Sequence, residues 1–318
     1  IMNKKMDQLK SSLKMNLFCI IYFMRILLIL FGFLSFSGKT QFLDNFEGKS
    51  FGEVPFFNQK FVKQNKIKSI KGYYSTKADL DYIRKTKDSY TYLFNENGQL
   101  IQEYRTVYKD TIVTNYFYNE KGLISIKRKS DEGGFHSYHY TYDEKGRILT
   151  EEYRRDINRK RTQTNFELDR TFIVKTDRFS YLDYDSLNYK KTYYNQADKV
   201  FKEEFFYYNE FGYLAKSEGR LKMGSGLNKT ELFYDAHGRV VTKTNKVVLN
   251  TEKLEKWTYE YDKFNNILAE HYYKNGVYTT EQQLVYYVES LLLKAIISRD
   301  EETNFLTILQ FSDYKYFN

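Results

Sequence analysis

Aromatic and polar residues alternate along much of the chain. In the stretch YHYTY, Tyr138, Tyr140 and Tyr142 share one parity and polar residues occupy the other. Residues 257–261, WTYEY, show the same alternation. A period of two is typical of a β-strand that buries one face. The pattern therefore predicts a sheet with one aromatic face and one largely polar face.

Each alternating stretch ends in a short turn pattern, which is clearest in residues 142–148, YDEKGRI. Asp143 suits the first position of a type I turn, and Gly146 accepts the left-handed conformation at no steric cost. A type I turn followed by a left-handed residue forms a three-residue hairpin loop with a bulge. That geometry pairs the tyrosine before the turn with Ile148. Only Arg147 is left without a structural role.

Copies of this unit, most of them weaker, recur along the chain. They start at Phe94, Tyr118, Tyr208, Tyr234 and Tyr261, with a degenerate copy at Tyr194 and an eroded one at Tyr287. Most intervals are 24 to 27 residues, the length of two strands and two turns, which is typical of a repeat architecture. The 52-residue gap before 194 spans two periods, and we place its unrecognisable turn near 166–169. The 14-residue step from 194 to 208 predicts that 194 marks a turn at the opposite edge.

The pattern Tyr-Asp-x-x-Gly-Arg followed by an aliphatic residue resembles the YD repeat of the RHS/YD-repeat family. Residues 142–148 and 234–240 match in full, including Arg147 and Arg239; the other copies lack the arginine. The resemblance covers roughly residues 88–293 and implies export. It also implies an all-β fold of antiparallel β-hairpin repeats in a long twisted or curled meander sheet. In large members such repeats form a shell around a toxin, for which this chain has too few units.

The N-terminal residues 1–38 resemble a secretory leader. An apolar run follows Arg25 and ends at small residues near Ser37, as in a signal peptide. Residues before Met15 or Met24 are then upstream translation. The alternative is an uncleaved N-terminal membrane anchor. We expect an exported protein, in the periplasm, on the outer surface or secreted, with residues 39–62 as an N-terminal segment or cap and 63–318 as the repeat domain.

Charge and cysteine content narrow the possible functions. The net charge is +9, but residues 1–40 hold six of the 50 basic residues and one of the 41 acidic ones, which leaves 44 and 40 in the remainder. So small an excess argues against a nucleic-acid partner. The single cysteine, Cys19, lies in the leader, so we expect neither disulfides nor cysteine-based metal sites. We expect membrane contact only through an uncleaved leader.

Residues with catalytic chemistry form no recognisable motif. His136 and His139 fall on opposite parities, and the glutamate pairs at 151–152 and 203–204 point to opposite faces of a strand. Residues 183–185, DYD, lack the glycine and distal glutamate of a calcium loop. We therefore predict no catalytic residue, no metal site and no cofactor, and favour a protein that is not an enzyme.

Some aromatic residues lie on the polar parity and are the binding candidates: Phe117, Tyr193, Phe205, Tyr207 and Phe233. Flat rings on an open sheet face can stack on sugar rings or on a partner protein. Alternatively, the twisted sheet folds over and buries both faces. The leading hypothesis is an exported, non-catalytic binding or scaffold module with a protein or glycan partner at the cell surface. The alternatives are a surface hydrolase whose carboxylates are gathered by the fold, and a neutralising partner of a secreted toxin.

Overall fold

The computed structural model describes residues 41–52, 55–107, 110–131, 134–160 and 166–318. The predicted leader, residues 1–38, lies outside these ranges. The described part opens with a 3₁₀ turn, Phe46–Gly48, and one short helix, α1, Gln59–Gln64. None of the described helices has the length and apolar character needed to cross a bilayer.

Eighteen strands follow α1. The first nine are β1 Ile67–Lys77, β2 Arg84–Phe94, β3 Leu100–Val107, β4 Asp110–Tyr118, β5 Ile124–Asp131, β6 Gly134–Tyr142, β7 Ile148–Asn158, β8 Leu168–Asp183 and β9 Tyr189–Tyr194. The others are β10 Val200–Tyr208, β11 Leu214–Leu221, β12 Leu227–Tyr234, β13 Val240–Val248, β14 Glu252–Tyr261, β15 Ile267–Lys274, β16 Val277–Tyr286, β17 Leu293–Asp300 and β18 Leu306–Tyr316.

The strands form a closed antiparallel barrel. Each strand pairs with the next one in the chain, and β1 also pairs with β18, from Ile67 opposite Tyr316 to Lys77 opposite Leu306. The predicted all-β antiparallel meander is confirmed. The expectation of a long curled sheet is corrected in one respect, because this sheet has no free edges. Strand twist accumulates across many strands, and closure satisfies the backbone groups that two open edges would leave unpaired.

The repeat turns have the predicted geometry. At residues 142–148, the Gly146 amide donates to the Asp143 carbonyl at 3.1 Å, and Gly146 has a φ of +79°. The register shifts beside the turn, so that Tyr142 pairs with Ile148. The expected hairpin loop with a bulge is therefore confirmed.

Successive turns lie at opposite ends of the barrel. Turns from an even-numbered to an odd-numbered strand, which include residues 142–148, lie at one end, hereafter the repeat-turn end. The turn after Tyr194 joins β9 to β10 at the far end, as predicted. The connection near 166–169 joins β7 to β8, also at the far end. The repeat turn missing from the series is instead formed by residues 184–188, where the Tyr184 amide donates to the Asn188 carbonyl at 2.9 Å.

Residues 41–52 and 55–65, hereafter the plug, lie inside the barrel at the repeat-turn end. The ring of Phe57 packs against Tyr92 on β2, with centroids 4.7 Å apart. Lys243 on β13 donates a hydrogen bond to the Gly48 carbonyl at 2.8 Å. Strands β2 and β13 are seven strands apart around the closed wall, so the segment that contacts both must span the lumen. The inner face is consequently the aromatic one.

The tyrosines at the repeat-turn end connect successive hairpins. Each hydroxyl donates to the carbonyl of the residue that opens an earlier odd-numbered strand, a bond that phenylalanine could not make. The pairs are Tyr118 with Leu100, Tyr142 with Ile124, Tyr181 with Ile148, Tyr234 with Leu214, Tyr261 with Val240, Tyr286 with Ile267 and Tyr314 with Leu293.

The repeat arginines also have a structural role. The Nε of Arg147 donates to Asp143 in its own turn at 2.7 Å, and its Nη1 donates to Asp183 beside the next repeat turn. Its guanidinium lies 4.3 Å from the ring centroid of Tyr181. Arg239 likewise binds the aspartate of its own turn and stacks on the tyrosine of the next unit. Each arginine thus fastens its turn to the following hairpin.

Candidate functional site

Charged side chains occupy one level of the inner wall. In five repeats, an ionisable residue lies five positions after the turn glycine, or after Asn265 where asparagine replaces that glycine. Each of these residues pairs with an inner-face residue on the neighbouring strand of its hairpin. Lys191 on β9 also faces the lumen, opposite Tyr181 and one inward position nearer the repeat turn. Acidic and basic groups alternate from β3 to β9. These residues, hereafter the lumen ring, are Glu103, Lys127, Glu151, Lys191, Lys243 and Glu270.

Charged side chains inside a barrel destabilise the fold unless they are paired with other groups, hydrated or bound to a ligand. Glu103 is paired by two hydroxyls, since Tyr90 and Tyr116 donate to its carboxylate at 2.9 and 2.8 Å. Burial and the Glu103 charge both raise the pKa of these two phenols. The tyrosines therefore remain protonated donors at neutral pH, and they hold the carboxylate in place.

A cavity of about 400 Å³ opens beside Glu103. The plug contributes Phe51 and Phe56 to its lining. The wall adds both rings and cations, with Arg105 stacked 5.3 Å from the centroid of Tyr74. The Oε1 of Gln282 is buried there and has no hydrogen-bond partner within the described ranges. Other wall residues of the cavity are Tyr90, Tyr92, Tyr116, Lys127, Lys129, Ser298 and Thr307.

The cavity has the features of a polar ligand site. Three cationic side chains, Arg105, Lys127 and Lys129, line it together with one carboxylate, Glu103. Its floor and walls provide aromatic faces, and an orphaned amide oxygen offers an acceptor. Sites with a few converging polar groups on an apolar or aromatic lining are typical of small-molecule binding. The excess of positive charge favours an anionic ligand.

The five aromatic residues predicted as binding candidates do not form one site. Phe117 on β4 and Tyr207 on β10 lie on the outer face and are 43% and 40% exposed. Phe205 accompanies Tyr207 on β10, and Phe233 on β12 is 54% exposed. Tyr193 instead faces the lumen, where its ring packs against Phe179 on the neighbouring strand. The outer aromatics are thus spread over several strands, and only Tyr193 reaches the interior.

The histidines and the glutamate pair considered above lie on the strand faces predicted from their parity. His136 packs on Tyr138 inside the barrel, whereas His139 bonds Ser137 on the outer face. Glu151 faces inward opposite Asp177. Within the described ranges, no group of three or more potential ligands could hold a metal ion.

The lumen ring was not predicted from the sequence. Its signal was present, because Glu103, Lys127, Glu151 and Lys243 each lie five residues after a turn glycine. An inward position could not be assigned to these residues, because most of them stand in otherwise polar stretches. In the sequence, only the aromatic positions indicate which face of a strand is buried.

Glu270 makes the stability of the barrel depend on pH. Burial raises the pKa of its carboxyl to about 7, although Lys243 and a hydrogen bond from Tyr259 act in the opposite direction. A glutamate in the unfolded chain has a pKa of about 4.3. Between these values the folded protein binds more protons than the unfolded one, so the free energy of unfolding falls as pH rises from about 4.5 to 7. We expect Glu270→Gln to remove about 1–3 kcal/mol of this dependence.

Urea denaturation across this pH range measures the effect. Glu120→Gln, in an exposed repeat turn, is the matched control and should leave the pH dependence as in the wild type. Equal slopes for wild type and Glu270→Gln would contradict the assignment.

Comparisons with known proteins found only weak structural similarities. No protein-family model matches the sequence, and no curated protein matches it. A porin-like protein from Bacteroides uniformis ATCC 8492 aligns at 13% identity and a TM-score of 0.35, over 79% of this chain and 97% of that one. A porin-like protein from Bacteroides vulgatus ATCC 8482 gives 11% and 0.33, over 77% and 97%.

A third solved structure, the TcdB2-TccC3-Cdc42 complex, aligns at 12% identity and a TM-score of 0.16, over 69% of this chain and 14% of that one. Values this low carry no information about the function of this chain.

Proposed function

We propose that this chain is an exported, non-catalytic binding protein of the cell envelope whose lumen holds an anionic saccharide. One observation carries the proposal. Arg105, Lys127 and Lys129 line the same cavity as several aromatic rings and the hydrogen-bonded carboxylate of Glu103. An anionic sugar needs both kinds of contact. Its C–H faces pack on rings, and its acid group binds cations.

Each part of the cavity matches a part of such a ligand. The planar guanidinium of Arg105 can bind a carboxylate through two parallel hydrogen bonds, which a lysine cannot do. The phenol of Tyr90 and the carboxylate of Glu103 can bond sugar hydroxyls. The unpartnered Oε1 of Gln282 would accept another hydroxyl, which would remove the cost of leaving a buried acceptor unsatisfied.

The charged side chains on the outer wall favour a barrel whose outer face contacts water. Barrels that span membranes carry an apolar band about 25 Å tall on the outside. Here the outer face carries rows of ion pairs, such as Lys216 with Glu218 at 2.8 Å and Lys190 with Glu203 at 3.0 Å. A further pair joins Lys229 to a glutamate at 2.7 Å. Together with the predicted leader, this surface favours a location in the periplasm, on the outer surface or outside the cell.

We further propose that the chain is a short member of the RHS/YD-repeat family. Support comes from the roles of the motif residues. Asp143 and Gly146 shape the turn, and Arg147 fastens it to the next hairpin. Every residue that defines the motif is therefore used in building the wall, which leaves binding to the lumen.

Binding of the purified full chain to an array of neutral and acidic saccharides tests the proposed function. We expect binding to uronic or sialic acid saccharides, and Arg105→Ala and Lys129→Ala should each weaken it by about 10–100-fold, the usual effect of losing a charged hydrogen bond. Lys229→Ala, on the outer wall, is the control and should bind as the wild type does. Absence of acidic ligands, or an equal loss in the control, would overturn the proposal.

A surface hydrolase is the second candidate, favoured by one observation. Glu151 and Asp177 are direct cross-strand neighbours on the inner face, and both burial and the Asp177 charge raise the pKa of Glu151. A carboxylic acid that keeps its proton beside a second carboxyl group could act as a general acid. Release of new reducing ends from the bound saccharides would favour hydrolysis over simple binding.

A further inference from the structure

Lys191 on β9 lies in an aromatic enclosure on the inner wall. Its Nζ is 3.8 Å from the ring centroid of Phe179 and 4.7 Å from that of Tyr193, with Tyr181 as a third ring at 6.0 Å. The side chain is half-buried, so a small molecule in the lumen can reach the amine. This enclosure lies four strands away from Lys127 of the saccharide cavity and is a separate site.

A second cation lies on the same ring. The Nζ of Lys202 is 4.4 Å from the centroid of Tyr193, and it forms an ion pair with Glu204 at 3.1 Å. The Tyr193 hydroxyl also donates to Glu204. The Glu204 carboxylate is therefore already engaged by a lysine and a phenol, while Lys191 contacts ring faces.

These surroundings change the chemistry of the amine. Burial lowers the pKa of Lys191 to about 8, and the Lys202 charge acts in the same direction, against attraction from Glu204 and Glu151. At pH 7 roughly a tenth of the side chain is then the neutral amine, whereas an ordinary lysine is almost wholly protonated. A desolvated lysine beside another cation is a recognised form of activated nucleophile.

We propose that Lys191 is a nucleophilic amine that forms an imine with a small aldehyde or ketone entering the lumen. The nitrogen lone pair attacks the carbonyl carbon, a C–N bond forms, and a proton passes from nitrogen to oxygen to give a carbinolamine. The carboxylic acid of Glu151 then protonates the hydroxyl, the C–O bond breaks and water leaves. The products are a protonated imine, the Glu151 carboxylate and one water molecule.

Glu151 is suited to this proton transfer. It faces the lumen opposite Asp177 and its charge acts on Lys191, and burial together with Asp177 raises the pKa of its carboxyl. It therefore retains a proton to a higher pH than an exposed glutamate does. The carboxylate that remains after dehydration would stabilise the positive charge of the imine. The site depends only on the enclosure around Lys191 and holds whether or not the lumen binds saccharides.

The chain provides a matched control in the adjacent residue. Lys190 points to the outer face and pairs with Glu203 at 3.0 Å. That hydrogen bond raises the pKa of Lys190. The two lysines thus share one stretch of sequence but differ in face, ion pairing and amine basicity. Any reagent that distinguishes them reports on the fold and not on local sequence.

The test uses the full chain, glycolaldehyde as the carbonyl probe and sodium cyanoborohydride to trap the imine as a secondary amine. Peptide mass spectrometry then compares Lys191 with Lys190. We expect Lys191 to be modified at least about tenfold faster at pH 7.5, the ratio set by more than one pKa unit between the amines. The rate should reach half its maximum near pH 8, and in urea the difference should vanish.

Variants complete the test. Lys191→Arg should abolish the fast modification, whereas Lys190→Arg should leave it unchanged. Glu151→Gln should slow trapping while Lys191 keeps its fast reaction with acetic anhydride, since acylation needs no dehydration step. Equal modification of the two lysines in the folded chain, or no modification of Lys191, would overturn the proposal.

Discussion

Replacement of Asp156 by alanine should lower the free energy of unfolding by about 3–5 kcal/mol. Asp156 is 1% exposed and accepts hydrogen bonds from the Nε of Arg128 at 2.8 Å and the hydroxyl of Thr171 at 2.7 Å. Arg128 is also held 4.2 Å from the centroid of Phe166. Without its partner, the arginine would remain a buried, uncompensated charge. Urea denaturation of wild type and variant measures the loss.

Two further variants show that the charge imbalance is the cause. The double variant Arg128→Met with Asp156→Leu should recover most of the loss, because a buried ion pair is often replaced by apolar residues at little cost. Glu167→Ala removes an exposed pair with Arg159 and should leave the free energy of unfolding close to that of the wild type, because solvent screens such a pair. An Asp156→Ala protein within 1 kcal/mol of wild type would refute this account.

The same ion pair has a defined pH dependence. Burial acts to raise the pKa of Asp156, but hydrogen bonds from Arg128 and Thr171 outweigh it and hold the pKa below the usual value. A carboxyl with a lowered folded-state pKa stabilises the protein above its unfolded pKa. The stabilisation is therefore present at neutral pH and is lost as the pH falls through the folded-state value.

Replacement of Gly98 by alanine should destabilise the barrel by about 2–5 kcal/mol and loosen the plug, from left-handed strain and overpacking combined. Gly98 has a φ of +79°, and an added Cβ would lie 2.2 Å from the carbonyl oxygen of Gln59 and 2.8 Å from the amide nitrogen of Lys63. Both are backbone atoms of α1 in the plug, so no side-chain rotation can relieve the clash. Denaturation and the rate of proteolysis within the plug report the two effects.

Gly212 provides the matched control. It holds the same place in another repeat turn, with a φ of +77°, but an added Cβ would meet no atom within 4 Å. Gly212→Ala should therefore cost only the left-handed strain, about 1–2 kcal/mol. The difference between the two variants isolates the plug contact. Equal losses would mean that α1 does not rest on the turn at Gly98.

The repeat turns show which structural features can be predicted from neighbouring residues. Asp143 and Gly146 act within a few residues of each other, so the turn, its bulge and the pairing of Tyr142 with Ile148 could be derived from sequence. The role of Arg147 could not. Its second partner, Asp183, is 36 residues away, and the repeat turn that follows Asp183 has no recognisable motif.

The sequence by itself determined the antiparallel strands, the aromatic face and the turn chemistry, because alternation and turn preferences depend on neighbouring residues. Closure of the barrel was decided by the tertiary structure, since the pairing of Ile67 with Tyr316 depends on twist summed over eighteen strands. The inward position of the charges was decided in the same way. The five-residue spacing that places Glu103 and Lys127 is visible in the sequence, but only the closed wall and its plug turn those residues into a lumen ring.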